Sequence, residues 1–355
     1  MEYSFENFTN LDKKKNGKVQ NRTLPSSIEM SYKVKILRQT GVAPAHRGHI
    51  AILTLCNCYG YSCTENFCRL QQCSFYQAIA FLFFQIYNSD KPIRFIGFVG
   101  RFSHGKGKPL VFIPGLTFSG EIFKNQLEYF SSEYRVIAID PRGQGYSAKT
   151  VDGNDYLTHG RDVAGLIDAL GLEDIVLIGW STGNLDTWSY VQQFGKDKLR
   201  GVVTIDMSPL PLSPDPKWWT EGTIEELSQV ATQVLTSSQG CREFFSEHAT
   251  GVMIQHKMEP DELEYLLDIS GRTPYWICRQ LFCDAVFSNY LEIAKDVGAT
   301  LPSLMFIAEH WQDIAKPFVE AQLPGYGTYV MGGHLMFYEY PEKWNRVLED
   351  FLNKL

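Results

Sequence analysis

Residues 175–183 read Ile-Val-Leu-Ile-Gly-Trp-Ser-Thr-Gly and combine two signals in nine positions. The first four residues form an apolar run, which is typical of a strand in a parallel sheet covered on both faces. The spacing G-x-S-x-G follows, and an amphipathic pattern then runs from Asn184 to Phe194. A strand, a sharp turn and a helix in this order expose a serine hydroxyl at the end of a sheet. We therefore expect Ser181 to be a nucleophile and the backbone N–H of Thr182 to face a developing oxyanion.

Apolar runs of the same kind recur along the chain, with helical patterns between them. Predicted strands are Ile93–Val99, Pro109–Ile113, Arg135–Asp140, Asp174–Gly179, Gly201–Asp206, Leu304–Ala308 and Gly327–Met331, with turn signals at 100–107. Predicted helices are Glu121–Phe130, Arg161–Leu170, Asn184–Phe194 and Glu342–Leu352. This alternation predicts the α/β class, with a doubly wound, mostly parallel sheet.

Two segments do not fit the alternation. Residues 207–299 contain Pro-rich turns and helical patterns but no convincing strand, so we expect a helical cap inserted between two strands. Its aromatic residues suit either a lid over an apolar pocket or a small core of its own. Residues 1–92 are basic and Cys-containing, which predicts a partly disordered N-terminal extension to a domain at 93–355. The five cysteines of that extension lack the paired spacing of a zinc site, so no metal is expected.

The base that activates Ser181 is expected to be a histidine in a loop at the carboxyl end of the sheet. His334 follows the last predicted strand and precedes the last predicted helix, which favours it over the other seven histidines. A second oxyanion donor is expected after the strand Pro109–Ile113. There Gly115 permits a sharp turn, so the backbone N–H of Leu116 is the candidate.

Three motifs together resemble the α/β-hydrolase family from about Ile93 to Leu355. They are the Gly179–Gly183 elbow, the Gly332–His334 loop, and Asp140–Ser147, which matches the family's D-x-R-G-x-G-x-S turn. The Gly-Trp-Ser elbow and the strand end Ile205–Pro209 are similar to the esterase and cofactor-free haloperoxidase branch. The resemblance implies a serine hydrolase that needs neither cofactor nor metal. Serine at the nucleophile position speaks against the haloalkane dehalogenases and epoxide hydrolases of this fold.

The acid that orients the base has three candidates. In most family members it lies about nine residues past the Pro that begins the strand after the insertion. Counted from Pro302, that position is Trp311, which has no carboxyl group, and Glu309 and Asp313 lie two residues to either side. Asp206, at the end of the preceding strand, is the other place from which a carboxylate can reach the histidine. We rank Asp206 first, Asp313 second and Glu309 third.

Charge and composition limit the partners. The chain of 355 residues has a net charge of −7, but residues 1–100 carry 12 Lys and Arg against 6 Asp and Glu. The remainder is acidic, and nucleic-acid binding needs a basic face, so no nucleic-acid partner is expected. The longest apolar run, Tyr76–Tyr87, is shorter than the about 20 residues that span a bilayer, and no secretory signal is predicted. We expect a cytoplasmic protein with free thiols, and the final Asn353–Leu355 leaves the peroxisome as the alternative.

These observations predict a serine hydrolase that acts on ester-like carbonyl compounds through an acyl-enzyme. The expected substrate is small and apolar, as for a carboxylesterase or lipase, and the oligomeric state is open. A perhydrolase or a lyase would use the same triad. The alternative from another class is a binding protein that keeps this fold with little or no turnover, because fold alone does not establish activity.

Overall fold

The computed structural model describes residues 85–88, 91–94, 99–215 and 217–355. Most of the predicted N-terminal extension, including its cysteine cluster, lies outside the described residues. Two short strands there, β1 (Gln85–Asn88) and β2 (Lys91–Arg94), pair antiparallel. The predicted strand Ile93–Val99 overlaps β2 at Ile93 and Arg94 and β3 at Val99, and its residues 95–98 lie outside the described residues.

Seven further strands form the central sheet. They are β3 (Val99–His104), β4 (Pro109–Ile113), β5 (Arg135–Asp140), β6 (Ile175–Trp180), β7 (Leu199–Ile205), β8 (Ser303–Ile307) and β9 (Tyr326–Val330). Their order in the sheet is β3-β5-β4-β6-β7-β8-β9. Only β3 is antiparallel to its neighbour, and all other pairings are parallel. The predicted fold class, an α/β-hydrolase fold with a mostly parallel sheet, is confirmed.

The turn predicted over residues 100–107 is wrong in its first half. Residues 99–104 form β3 instead, which pairs with β5 through a register shift between Gly100 and Phe102. Glycines weaken a strand and are common at bulges. Pairing at the edge of the sheet therefore overrides the local turn signal.

Helices connect the strands on both faces of the sheet. Those outside the insertion are α1 (Lys124–Phe130), α2 (Tyr156–Leu170), α3 (Gly183–Phe194), α9 (Gln312–Gln322), α10 (Met336–Glu339) and α11 (Pro341–Leu352). Between β7 and β8 the chain forms α4 (Ile224–Gln229), α5 (Ser238–His248), α6 (Pro260–Gly271), α7 (Tyr275–Val286) and α8 (Leu291–Thr300), with π-helical turns at Val230–Val234 and Ala249–Met253. The expected helical insertion is therefore present, and its role as a cap stays a prediction.

The sheet separates two hydrophobic clusters. Along β4, Leu110 and Phe112 belong to one cluster and Val111 and Ile113 to the other, and all four are fully buried. This explains why the strands are continuously apolar, since neither face meets water. Each cluster continues into the insertion, so the insertion shares its core with the sheet rather than forming one of its own.

Two further predictions concern the described residues. Cys241, Cys278 and Cys283 are free thiols, as expected. None of the described helices is both long and apolar enough to cross a bilayer.

Candidate active site

The turn between β6 and α3 holds Ser181 in an unusual backbone conformation. Its φ is 52°, in the left-handed region that non-glycine residues rarely adopt. A Cβ at Gly183 would collide with the carbonyl oxygens of Ile113 and Pro114, so only glycine fits there. A strained serine held by such a tight turn is the geometry that the G-x-S-x-G spacing predicted.

The structure brings His334 and Asp206 together. The imidazole Nδ1 of His334 lies 2.6 Å from Oδ2 of Asp206, and both side chains are buried. The other carboxylate oxygen, Oδ1, accepts a hydrogen bond from the backbone N–H of Ala308 at 2.8 Å. Because a carboxylate only accepts, Nδ1 carries the proton and Nε2 is left as the basic nitrogen.

The other two candidate acids lie elsewhere. Asp313 is exposed in the first turn of α9. Glu309 is also exposed, and its Oε2 accepts a hydrogen bond from Nε2 of Gln255 at 3.0 Å. In the described part of the chain, the structure gives neither carboxylate a hydrogen bond to His334. Of the three acids considered, the fold thus brings Asp206 to the histidine.

The predicted oxyanion loop runs directly against the nucleophile. A Cβ added to Gly115 would lie 2.8 Å from Cβ of Ser181, so the two backbones approach as closely as a glycine allows. Within residues 99–215 and 217–355, the structure records no protein acceptor for the backbone N–H of Leu116 or of Thr182. Thr182 also precedes the first residue of α3, where the helix dipole favours negative charge.

Gln144 holds this loop in place, a role that the sequence did not predict. Its Oε1 accepts from the backbone N–H of Thr117 at 2.7 Å. Its Nε2 donates to the carbonyls of Gly115 and Phe118, both at 3.1 Å. The only signal in the sequence is that Gln144 belongs to the Asp140–Ser147 turn, which was noted for its glycines and not for its amide.

The insertion forms a wall of the site next to the base. The carbonyl of Val252, in the π-helical turn Ala249–Met253, accepts from the backbone N–H of His334 at 3.1 Å. The carbonyl of Met253 accepts from the N–H of Leu335 at 2.9 Å. Such π-helical turns are frequent at functional sites. This part of the predicted lid is therefore fixed to the loop that carries the histidine.

Three titratable side chains near the triad were missed as site residues. The ring centroid of His248, on α5, lies 5.9 Å from that of His334, and burial lowers the pKa of His248 to about 3. Burial also lowers the pKa of His310. In the insertion, burial raises the pKa of Glu221 to about 7. The nearby Asp206 acts in the same direction, and His334 acts against it. The sequence gives no local signal for His248 or Glu221, because the folded insertion brings them to the site, whereas His310 follows β8.

The next feature is the distribution of possible metal ligands over the described residues. Among the described residues, no three His, Cys, Asp or Glu side chains converge as a metal ion would require.

A surface groove of about 490 Å³ lies beside α6 and α10 and is lined by Lys124, His256, Glu262 and Glu339, among others. None of the triad candidates lines this groove.

Comparison with known proteins concerns the family and the fold. Residues 108–274 match the family model described as alpha/beta hydrolase fold. A non-heme chloroperoxidase from Kitasatospora aureofaciens is 36% identical over 106 residues, which is 30% of this chain and 38% of that protein. The chain thus spans about two fifths of the length of this relative. Its name agrees with the haloperoxidase-like branch predicted from the elbow.

Solved structures extend the likeness in fold. A bromoperoxidase from Bacillus anthracis superposes with a TM-score of 0.66 at 20% identity, covering 74% of this chain and 97% of that one. An esterase from Exiguobacterium antarcticum gives a TM-score of 0.64 at 20% identity, covering 71% and 94%. At this level of identity the likeness concerns the fold alone.

Proposed function

We propose that this protein is a serine hydrolase acting on small ester-like substrates. The match of residues 108–274 to the alpha/beta hydrolase fold family supports this proposal. The observation that carries the proposal is the hydrogen-bonded pair of His334 and Asp206, which lies at the same edge of the sheet as the elbow serine. Ser181 is the proposed nucleophile, and the N–H groups of Leu116 and Thr182 are the proposed oxyanion donors.

In the proposed reaction, Nε2 of His334 takes the hydroxyl proton of Ser181 while Oγ attacks the carbonyl carbon of the ester. The carbonyl oxygen becomes an oxyanion between the N–H groups of Leu116 and Thr182. The intermediate collapses, the alkoxide leaves with the proton from His334, and an acyl-serine remains. Water then attacks the acyl group by the same route and releases the acid.

Asp206 has two roles in this scheme. Its carboxylate fixes the imidazole with Nδ1 protonated, and it offsets the positive charge that forms on His334. The second hydrogen bond, from the N–H of Ala308, holds the carboxylate in that orientation. The hydrogen-bonded pair of Asp206 and His334 supports an enzyme over the binding-protein alternative, because it supplies the carboxylate that the position counted from Pro302 does not.

A second candidate activity is perhydrolysis, favoured by the relative named a chloroperoxidase. Here hydrogen peroxide replaces water in the second half-reaction, so that the acyl-serine yields a peracid and the free serine. The same residues serve both reactions, and the two are distinguished by whether peroxide diverts the acyl group from acid to peracid. The cytoplasmic location predicted from the sequence stays a prediction.

Labelling with a fluorophosphonate, together with turnover of short p-nitrophenyl esters, tests the proposal. Wild type is expected to take one label and to release p-nitrophenol, and Ser181→Ala is expected to do neither. A wild-type protein without label or turnover contradicts the proposal. Saturable stabilisation by an ester without product release would then favour the binding protein.

A further inference from the structure

Trp180, the residue before the elbow serine, contacts the histidine loop in two ways. Its indole Nε1–H donates a hydrogen bond to the backbone carbonyl of His334 at 2.8 Å. The two rings also form a tilted contact, with centroids 5.4 Å apart and planes inclined by 50°. Trp180 is 1% exposed and His334 is 6% exposed, so water is largely excluded from this contact.

The proposed reaction places a positive charge on His334. Asp206 offsets that charge from the Nδ1 side. A cation over the face of an aromatic ring, within about 6 Å of the ring centroid, is attracted by the ring quadrupole, most strongly for Trp and where water is excluded. The separation of 5.4 Å between the rings of Trp180 and His334 lies within this range.

Four other titratable groups face His334 from the elements around it. They are Asp206 after β7, Glu221 in the insertion, His248 on α5 and His310 after β8. Burial lowers the pKa of both histidines, so neither is a cation near neutral pH. Glu221 has a pKa of about 7 and contributes an ionisation of its own, which stays present when Trp180 is replaced.

We propose that Trp180 is a positioning residue for His334 and that its indole ring stabilises the imidazolium formed when Ser181 attacks the substrate. This inference rests on the proposed hydrolase function. The hydrogen bond to the His334 carbonyl restrains the loop, and restraint of a reacting group contributes to rate. The ring acts on the charge only, and no bond at Trp180 is made or broken.

The pH profile of kcat/KM for a p-nitrophenyl ester separates these two effects. Trp180→Leu removes both the ring and the N–H. We expect its acidic limb to move to lower pH by about half to one unit, and its plateau to fall about 3- to 30-fold. Trp180→Phe keeps a ring and loses the N–H. Its plateau is expected to fall by a factor of about 3 to 10 while its acidic limb stays with that of wild type.

Trp188→Leu is the matched control, because Trp188 is also fully buried but its Nε1–H points to the hydroxyl of Tyr326. It is expected to lower the melting temperature without moving the acidic limb. If Trp180→Leu does not fold, as judged by circular dichroism, Trp180→Met provides the larger ringless side chain for the same comparison.

The outcomes distinguish the inference from the function on which it rests. If wild type is active but the acidic limb of the ringless Trp180 variants stays at the wild-type pH, the inference is overturned and the hydrolase proposal remains intact. An equal movement in Trp188→Leu also overturns it. A wild type that neither takes the fluorophosphonate label nor hydrolyses esters overturns the proposed function, and the inference with it.

Discussion

The carboxylate of Asp206 lies 2.6 Å from the imidazole Nδ1 of His334, although the two residues are 128 positions apart in the chain. Asp206 follows β7, and the whole helical insertion separates it from the strand after which most family members carry their acid. The adjacent strands β7 and β8 end at the same edge of the sheet, so a carboxylate after either strand is near the histidine loop.

Replacement of Asp206 by Asn tests the proposed acid. The amide cannot hold the same tautomer of His334 or offset the charge of an imidazolium, so we expect kcat to fall by about 10³- to 10⁴-fold. Ester turnover and the rate of fluorophosphonate labelling measure the loss. Asp313→Asn is the matched control and is expected to keep wild-type turnover. The opposite result, with loss only in Asp313→Asn, would move the acid to α9.

Replacement of Gly115 by Ala tests the oxyanion loop. The added Cβ would lie 2.8 Å from Cβ of Ser181, so the loop must shift and its N–H donors move with it. Misplacement of a reacting or stabilising group by about 1 Å costs on the order of 100-fold in rate. We expect a loss of that size in kcat with a smaller change in KM. Gly271→Ala, where the new methyl group meets open space, serves as control, and equal losses in both variants would refute the loop assignment.

Replacement of Glu221 by Gln tests the buried carboxyl group of the insertion. Burial raises its pKa from 4.5 to about 7, so the folded state binds this proton more tightly than the unfolded state does. Stability is therefore present below about pH 4.5 and is lost as the pH rises towards 7. At pH 8 we expect Glu221→Gln to be more stable than wild type by on the order of 2 kcal/mol, with little difference at pH 4.

Urea unfolding at both pH values measures this difference. Glu225→Gln, at an exposed position in the next helix, is the matched control and is expected to match wild type at both pH values. If Glu221→Gln and wild type have the same free energy of unfolding at pH 4 and at pH 8, ionisation of the Glu221 carboxyl group does not destabilise the fold.

The two carboxylates around His256 predict a second pH dependence of stability. Here hydrogen bonds, and not burial, raise the pKa of the group concerned. Nε2 of His256 lies 2.9 Å from Glu262 on α6, and Nδ1 lies 3.2 Å from Glu339 on α10. The hydrogen bond to Glu262 is the main cause that raises the pKa of His256. The stabilisation is complete below the ordinary pKa of 6.5 and is lost as the pH rises through the raised value.

Glu262→Gln is expected to reduce the fall in melting temperature that wild type shows above about pH 6.5. Asp261→Asn, an exposed carboxylate in the same turn of α6, is the control and is expected to keep the full dependence. Identical curves for wild type and Glu262→Gln would mean that this pair does not contribute to stability.

Local patterns predicted the strands and helices that carry the nucleophile. The predicted bounds of β4 and β5 agree with the structure residue for residue, and those of β6 differ by one residue at each end. These strands are apolar throughout because both of their faces are buried, so nearly every position favours an apolar side chain. The edge strand β3 was mistaken for a turn because it is held by pairing with β5 and not by its own composition.

The sequence by itself determined the fold family, the Ser181 elbow and the position of His334 after the last strand, since each depends on residues adjacent in the chain. The sequence left three candidate acids, and only the tertiary structure brought Asp206 among them to His334. Only the tertiary structure brought Gln144, Glu221 and His248 to the same region. Their places depend on which strands are neighbours and on how the insertion packs against the sheet. These are long-range contacts, and no local periodicity records them.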